Sequence, residues 1–301
     1  MTEPATLPTP EAKAHSVLVG TAGWADADLV ASGWYPTQVR TAADRLACYA
    51  QRFPLVEVDT TYYAIPTAST MSTWTRVPSP LTMDVKAYRL FTGQPTPVAS
   101  LPPDLRDLAA GRTTIRTQDA PAALLQAAWE QFHLALEPLQ EAGRLGLVLL
   151  QFPATVIADE SGHNLVARTL ELCRPLRAAV EWRHGSWLAP DKREASLKLL
   201  AEHQAAYVCV DMPQNVPAAM PPLLLSSTDV AVVRLHGHSS AWRYGDKRDR
   251  YRYEYSPAEL DAWAQNARQL AREADQVHII VNTCCAGAAQ HAAEELRDRL
   301  D

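Results

Sequence analysis

The chain of 301 residues contains no run of about 18 apolar residues, so nothing in it is long enough to cross a bilayer as a helix. Its opening stretch, MTEPATLPTPEAKAHS, mixes charges with prolines and lacks the apolar centre of a signal peptide; residues 1–15 are expected to form a disordered leader. Cysteine is sparse. The five, Cys48, Cys173, Cys209, Cys284 and Cys285, show neither metal-ligand spacing nor an even disulfide framework. They are read as reduced thiols of a cytoplasmic protein, and the adjacent Cys284–Cys285 pair would be strained as a disulfide. An excess of basic charge is also missing: 28 Lys+Arg against 34 Asp+Glu give a net charge of −6. That disfavours a nucleic-acid backbone as the main partner, although a local basic groove on an acidic body is compatible with it. Neither H-x-x-x-H nor H-E-x-x-H occurs, and no G-x-G-x-x-G follows the first apolar run.

What is present is a composition with a real core, 47% hydrophobic and 21% charged, and a repeating layout. Eight short apolar runs each end in polar residues: SVLVGTAGW (16–24), LVEVDTTYY (55–63), LTMDVKAYR (81–89), LGLVLLQFP (145–153), AAVEWRH (178–184), AAYVCVDMP (205–213), VAVVRLHGH (230–238) and VHIIVNT (277–283). Strands not joined by tight turns need crossovers, and helical patterns lie between them. TAADRLACYAQRF (41–53) puts Leu46, Tyr49, Ala50 and Phe53 on one face. PAALLQAAWEQFHLALEPLQEAG (121–143) starts on a proline and stops at Gly143. Ser256-Pro257-Ala258-Glu259 has the residues of a capped helix start. Strand then helix, eight times over, predicts a single-domain α/β protein, a (β/α)8 TIM barrel over residues 16–301. A doubly wound open sheet uses the same units but is weakened by the missing glycine fingerprint. Residues 92–120 read as an extended, proline-rich loop over one face.

Alternate strand residues face the same side, so parity separates the barrel axis from the helices. Glu57 with Asp59, Asp84 with Lys86, Gln151, Glu181 with Arg183, Cys209 with Asp211, Arg234 with His236, and Asn282 all take the parity opposite their oily neighbours. They cluster near the C-terminal strand ends, where the active sites of such barrels sit. Buried charges in that number must form a network or line a wet cavity. A salt-bridged interior is the alternative to a working site. By the same parity Trp182 packs outward; His184 turns to the rim or caps a loop, and Trp187 lies in that loop.

GTAGW (20–24), WYP (34–36), RLACYAQRFPLVEVDTTYYAIP (45–66), VKAYRLFTG (85–93), LGLVLLQFP (145–153), EWRHGSW (181–187) and RLHG (234–237), with Tyr255, Ser256, Glu259, Leu260 and Trp263, resemble the motifs of the YecE-like family, the domain of unknown function numbered seventy-two. The resemblance runs from about residue 16 to 298 and implies a TIM barrel; it brings no reaction with it. Members of that family often carry Asn where this chain has Asp59, and a second Asn where it has Thr283. Those two departures imply a changed donor–acceptor pattern in the pocket.

Glu181 and His236 are the preferred acid/base pair, with neighbouring cations holding Glu181 ionised. Lys86 suits an electrophilic clamp; a Schiff-base role is disfavoured because adjacent carboxylates would keep the amine charged. Arg183, Arg234 and Lys86 converging on one mouth point to an anionic small molecule as partner, with Glu57, Asp59, Asp211, Asn282, Trp24 and Tyr62 as further binding residues. The loop NTCCAGAAQ (282–290) leads into a helix near Gly287, a further place for an anion. WRYGDKRDRYRYEY (242–255) is read as a solvated loop folding over the mouth in preference to a nucleic-acid strip. No cofactor is expected. A divalent metal is kept as an alternative, because Glu57, Asp59, Glu181, His184, Asp211, His236 and His238 are acceptable ligands. Three functions follow: a metal-independent acid/base enzyme acting on a small anionic or polyhydroxy metabolite, which is favoured; a metal-dependent phosphodiester hydrolase acting on nucleic acid; and a non-catalytic receptor for a small ligand.

Overall fold

The computed structural model describes residues 16–284 and 286–301, and the side chains of all of these except 247 and 248. The leader over 1–15 and the Cys284–Cys285 pairing therefore lie outside the described residues. Eight parallel strands close into a barrel: β1 (Ser16–Ala22), β2 (Leu55–Val58), β3 (Thr82–Lys86), β4 (Leu145–Gln151), β5 (Ala178–Glu181), β6 (Ala206–Asp211), β7 (Val230–Leu235) and β8 (Gln276–Val281). Each pairs with its neighbours in sequence, and β1 closes the ring between β8 and β2. Around them stand α1 (Ala42–Ala50), α2 (Ala68–Thr75), α3 (Ala122–Glu141), α4 (Glu160–Cys173), α5 (Arg193–Glu202), α6 (Pro257–Leu270) and α7 (Ala288–Leu300). This is the (β/α)8 architecture, with one unit incomplete.

The expectation of a helix after every strand fails between β6 and β7. Residues 212–229 form an irregular connection there. Pro213, Pro217, Pro221 and Pro222 are the physical reason: each removes a backbone donor and fixes φ, so no run between them can close helical hydrogen bonds. The helix starts elsewhere behave as their residues demand. Thr41 with Asp44 and Ser256 with Glu259 both form reciprocal capping boxes, at α1 and α6.

Residues 92–120 form the long connection expected after β3, and it carries local structure of its own. They hold a two-stranded ribbon, Thr96–Pro97 against Thr114–Ile115, and short 3-10 turns. Leu101, Leu105 and Ile115 are buried, and the preceding Phe91 stacks on Trp129 of α3 at 3.9 Å between ring centres. The segment is outer core, not a cover.

Between strands and helices the packing is apolar: Val58, Val85, Val148, Leu150, Val180, Val233 and Ile279 are all completely buried. Each such side chain stabilises the fold by roughly 1.5–3 kcal/mol. Trp182 and Trp187 join this layer, stacked on one another at 4.7 Å, and Trp187 Nε1 donates to the carbonyl of Val156 at 2.9 Å. His184 takes the capping role, with Nδ1 accepting from the backbone N–H of Ser186 at 3.2 Å.

Inside the barrel, one layer deeper than Lys86 on β3, Asp84 and His278 form a polar plug. His278 Nδ1 lies 2.9 Å from Asp84 Oδ2, and Asp84 Oδ1 accepts the backbone N–H of Leu147 at 2.9 Å. That bond sits at the register shift between Met83 and Val85, where β4 must approach closely. Gly146 makes the approach feasible: a Cβ there would lie 2.3 Å from Asp84 Oδ1. Among the described residues no helix is long and apolar enough to cross a membrane.

Candidate functional site

Because all eight strands run parallel, their C-terminal ends open on one face. Glu57, Lys86, Glu181 and Arg234 reach it from β2, β3, β5 and β7, and Arg183, His236 and Asn282 from the residues just after β5, β7 and β8. Strand register puts the charged residues on the inward side: Ile280 of β8 is level with Arg234, and Gln151 with Glu181.

Arg234 is the hub. Its Nε and Nη2 donate to the two oxygens of Glu57, both at 2.7 Å, and its Nη1 donates to Glu181 Oε2. The other Glu181 oxygen is ion-paired with Arg183 Nε, accepts from Gln151 Nε2 at 2.9 Å and lies 3.3 Å from His236 Nε2. Asn282 Nδ2 donates to His236 Nδ1 at 2.9 Å, so the imidazole proton sits on Nε2, facing Glu181. Removing these charges from water is costly, and only this density of charge-assisted bonds offsets it.

Burial works against the charge on Glu181, but Arg183, then Arg234 and His236, overcome it and hold the carboxyl well below the usual carboxylate range. Burial, reinforced by the Arg183 charge, pulls His236 down to about 3, so it is neutral near pH 7. Desolvation would weaken the Arg234 cation, yet Glu181 and Glu57 drive its guanidinium above the ordinary arginine value.

Beside this network lies a cavity of about 410 Å³. Glu57, Asp59, Lys86, Arg183, Arg234 and Asn282 line it, as expected from parity. So do Asp26, Asp28, Tyr251 and Gln290, which parity could not reach because they lie outside the strands, on loops, on the short helix Ala27–Ala31 and on α7. The signal for Tyr251 was present in the basic and aromatic stretch 242–255: its ring reaches the wall and its hydroxyl accepts from Arg183 Nη2 at 3.4 Å. The same stretch also holds Tyr244, 82% exposed, and Tyr255, which is buried. The first turn of α7, from its N-cap Gly287 to Gln290, lines the cavity too.

Several expected residues stand elsewhere. Glu181 and His236 are wholly buried behind the wall and do not line the cavity. Trp24 packs its ring on Trp74 of α2, at 5.9 Å. Tyr62 flanks the mouth, where Lys86 Nζ sits 4.9 Å from its ring centre and Arg89 5.2 Å. Asp211 is a misread parity. In β6 it is Val210 that is level with Arg234, while Asp211 is level with Leu235 and faces outward. There it accepts from Tyr255 at 2.6 Å and lies 2.8 Å from His238 Nε2, whose other nitrogen is 3.3 Å from Glu259.

Two polar groups in the cavity wall stand out among those without a hydrogen-bond or ion-pair partner among the described residues. One is the Thr283 hydroxyl. The other is the Lys86 amine, next to carboxylates that are already committed to arginine. Desolvation, with the Arg234 charge next, pulls this amine down to about 8. Asp59 and Thr283, the two departures from the family pattern, both line the cavity. Among the described residues no three His, Cys, Asp or Glu side chains gather as a metal site.

The profile of the family described as "Protein of unknown function DUF72" matches residues 18–301. UPF0759 protein YunF of Bacillus subtilis (strain 168) is 24% identical over 293 residues, covering 95% of each chain. Two solved structures share the fold. A DUF72 family protein from Thermotoga maritima MSB8 is 26% identical with a TM-score of 0.74, covering 95% of this chain and 99% of that one. One from Enterococcus faecalis V583 is 22% identical with a TM-score of 0.77, covering 94% and 95%. With the profile spanning nearly the whole described barrel and these relatives aligned end to end, the chain belongs to the DUF72 (YecE-like) family.

Proposed function

We propose that the protein is a metal-independent acid/base enzyme acting on a small metabolite that carries an anionic group and hydroxyls, with Lys86 as the proton-transferring group. The observation that carries this reading is the state of Lys86: an amine in the cavity wall, unpaired, and pulled down to about 8 by burial and the Arg234 charge. A group poised there holds both protonation states in useful amounts near neutral pH. The two buried carboxylates and the two arginines balance one another, so a protonated Lys86 is the surplus charge that an anionic ligand would meet. Three of the five N–H groups of Arg234 are used, which leaves donors for the same ligand. Asp59 and Asn282 offer acceptors and donors for hydroxyls. Glu181 and His236 move from the acid/base pair to a positioning role, since each of their polar atoms is already taken by the network.

The test is ligand-induced thermal stabilisation across a panel of small carboxylates, sugar acids and sugar phosphates, followed by deuterium exchange from solvent into each stabilising compound, read by proton NMR. Stabilisation that weakens in Arg183→Gln, and exchange that is lost in Lys86→Met, are the expected results. A panel that binds equally well to the Arg183 variant, or exchange that persists without Lys86, would sink the assignment.

A further inference from the structure

We infer that Lys86 also acts covalently, as an amine nucleophile that forms an imine with a small aldehyde or ketone bearing one carboxylate or phosphate. This rests on the reading above that the cavity takes a small anionic ligand, and deepens it by naming the ligand's reactive group. Three observations point this way.

First, the objection raised by the sequence is removed by the tertiary structure. Glu57 and Glu181 would hold Lys86 as an ammonium if either were free to pair with it. Glu57 spends both oxygens on Arg234, and Glu181 spends its own on Arg234, Arg183 and Gln151. No carboxylate lies within ion-pair distance of the amine among the described residues, and its close neighbour is the Tyr62 ring. Second, the amine is placed for attack: it ends β3 at the mouth of the barrel and lines a cavity of about 410 Å³, room for a ligand of a few carbon atoms. Third, the flanking cations Arg234 and Arg183 both favour the neutral amine and supply donors for the ligand's anionic group. An amine pulled down to about 8 has on the order of a hundredfold more nucleophilic form at neutral pH than an ordinary lysine.

The step balances without any further reactant. The Lys86 lone pair forms a bond to the carbonyl carbon, the C=O pair moves onto oxygen, and a proton shifts from nitrogen to that oxygen to give a carbinolamine. The hydroxyl then takes back, from solvent, the proton that the Lys86 ammonium gave up before attack, and leaves as water. The C=N bond forms with one proton kept on nitrogen. Ammonium and carbonyl thus become iminium and water.

The experiment is reductive trapping on the full-length protein. Glyoxylate, pyruvate and D-glyceraldehyde 3-phosphate are each added with sodium cyanoborohydride at neutral pH, with acetone as the uncharged control. Intact mass and peptide mapping then locate the secondary amine among the five lysines of the chain. The expected result is one saturable adduct on Lys86 with a charged probe, at least about tenfold above Lys192 and Lys198, absent with acetone, and lost in Lys86→Arg. Mapping in the unmodified sequence keeps the test valid even if that variant folds poorly. Lys86 labelled no faster than Lys192 and Lys198 would overturn the inference. Thermal stabilisation by the same acids without an adduct also overturns the imine, while leaving the acid/base reading intact; neither binding nor adduct removes both.

Discussion

Arg234 grips Glu57 with two parallel hydrogen bonds, Nε to Oε2 and Nη2 to Oε1, each 2.7 Å long. The two residues are 177 positions apart and both are buried, so this pair ties β2 to β7 across the barrel axis. A planar fork is needed for it. Lysine offers a single point charge, so Arg234→Lys should lose one of the Glu57 bonds and the Glu181 bond together. The expected cost is about 3–5 kcal/mol, measured by equilibrium unfolding in urea. A loss under about 1 kcal/mol would mean that the network is loosely held.

Glu181 supplies stability that depends on pH with a definite sign. Its carboxyl is held well below the ordinary range in the folded state, against burial, chiefly by Arg183 and Arg234. The contribution is therefore fully present above the unfolded carboxylate value and disappears as pH falls toward the depressed folded value. Glu181→Gln should be about 3 kcal/mol less stable at neutral pH and should lose less on acidification than the parent. Parallel stability curves from pH 7 down to about 3 would refute the assignment.

His236 should stay neutral, with its proton on Nε2, throughout the physiological range. Its folded value is pulled from 6.5 to about 3, mainly by burial, so the unfolded chain binds the extra proton in that window and stability falls with acid across it. Imidazole nitrogen shifts of the labelled protein between about pH 5 and 8 give the check. A titration midpoint near the ordinary histidine value would show that the ring is not sealed behind Glu181.

Lys86 costs the fold stability near pH 7. Both folded and unfolded chains are protonated below about 8, where the desolvation of the ammonium is felt in full; between about 8 and 10.5 the unfolded chain holds more protons, so stability rises with pH. Lys86→Met should stabilise the protein by roughly 1–3 kcal/mol at neutral pH, and the gain should shrink toward pH 10.5. Calorimetric Tm values at both ends of that window decide it; a destabilised variant would show that Lys86 has a partner in the fold.

Gly146→Ala tests the plug under the mouth. Its new methyl would stand 2.3 Å from Asp84 Oδ1 and 2.8 Å from Thr82 Cγ2, so either β4 or the Asp84–His278 pair must shift. Overpacking of this kind costs about 1–3 kcal/mol, read from the unfolding midpoint in denaturant. An unchanged midpoint would mean that the register shift at β3 relaxes freely.

Much of this protein can be read from residue order. Short apolar runs mark all eight strands because a strand buried on both faces needs apolar, mostly β-branched residues at nearly every step. Capping residues at Thr41 and Ser256 mark helix starts, since those bonds are local. The polar parity of Glu57, Lys86, Glu181 and Arg234 locates the mouth for the same local reason. Where the reading fails, a non-local choice is involved. Asp211 turns outward because the register between β6 and β7 is set by pairing, and alternation inside one strand carries no sign of inside or outside. Asp26, Tyr251 and Gln290 reach the cavity through loop and helix placement that no strand pattern encodes.

The deepest division runs through Lys86. Its residue type and its place at the end of β3 are properties of the sequence, and so is the presence of carboxylates and arginines on neighbouring strands. Which cation takes which carboxylate is decided only when the barrel closes and Arg234 comes within hydrogen-bond reach of Glu57 and Glu181. Electrostatic pairing depends on distances of a few ångströms in a desolvated interior, and sequence order does not contain those distances. Closure gives both carboxylates to the arginines and leaves the amine to the cavity.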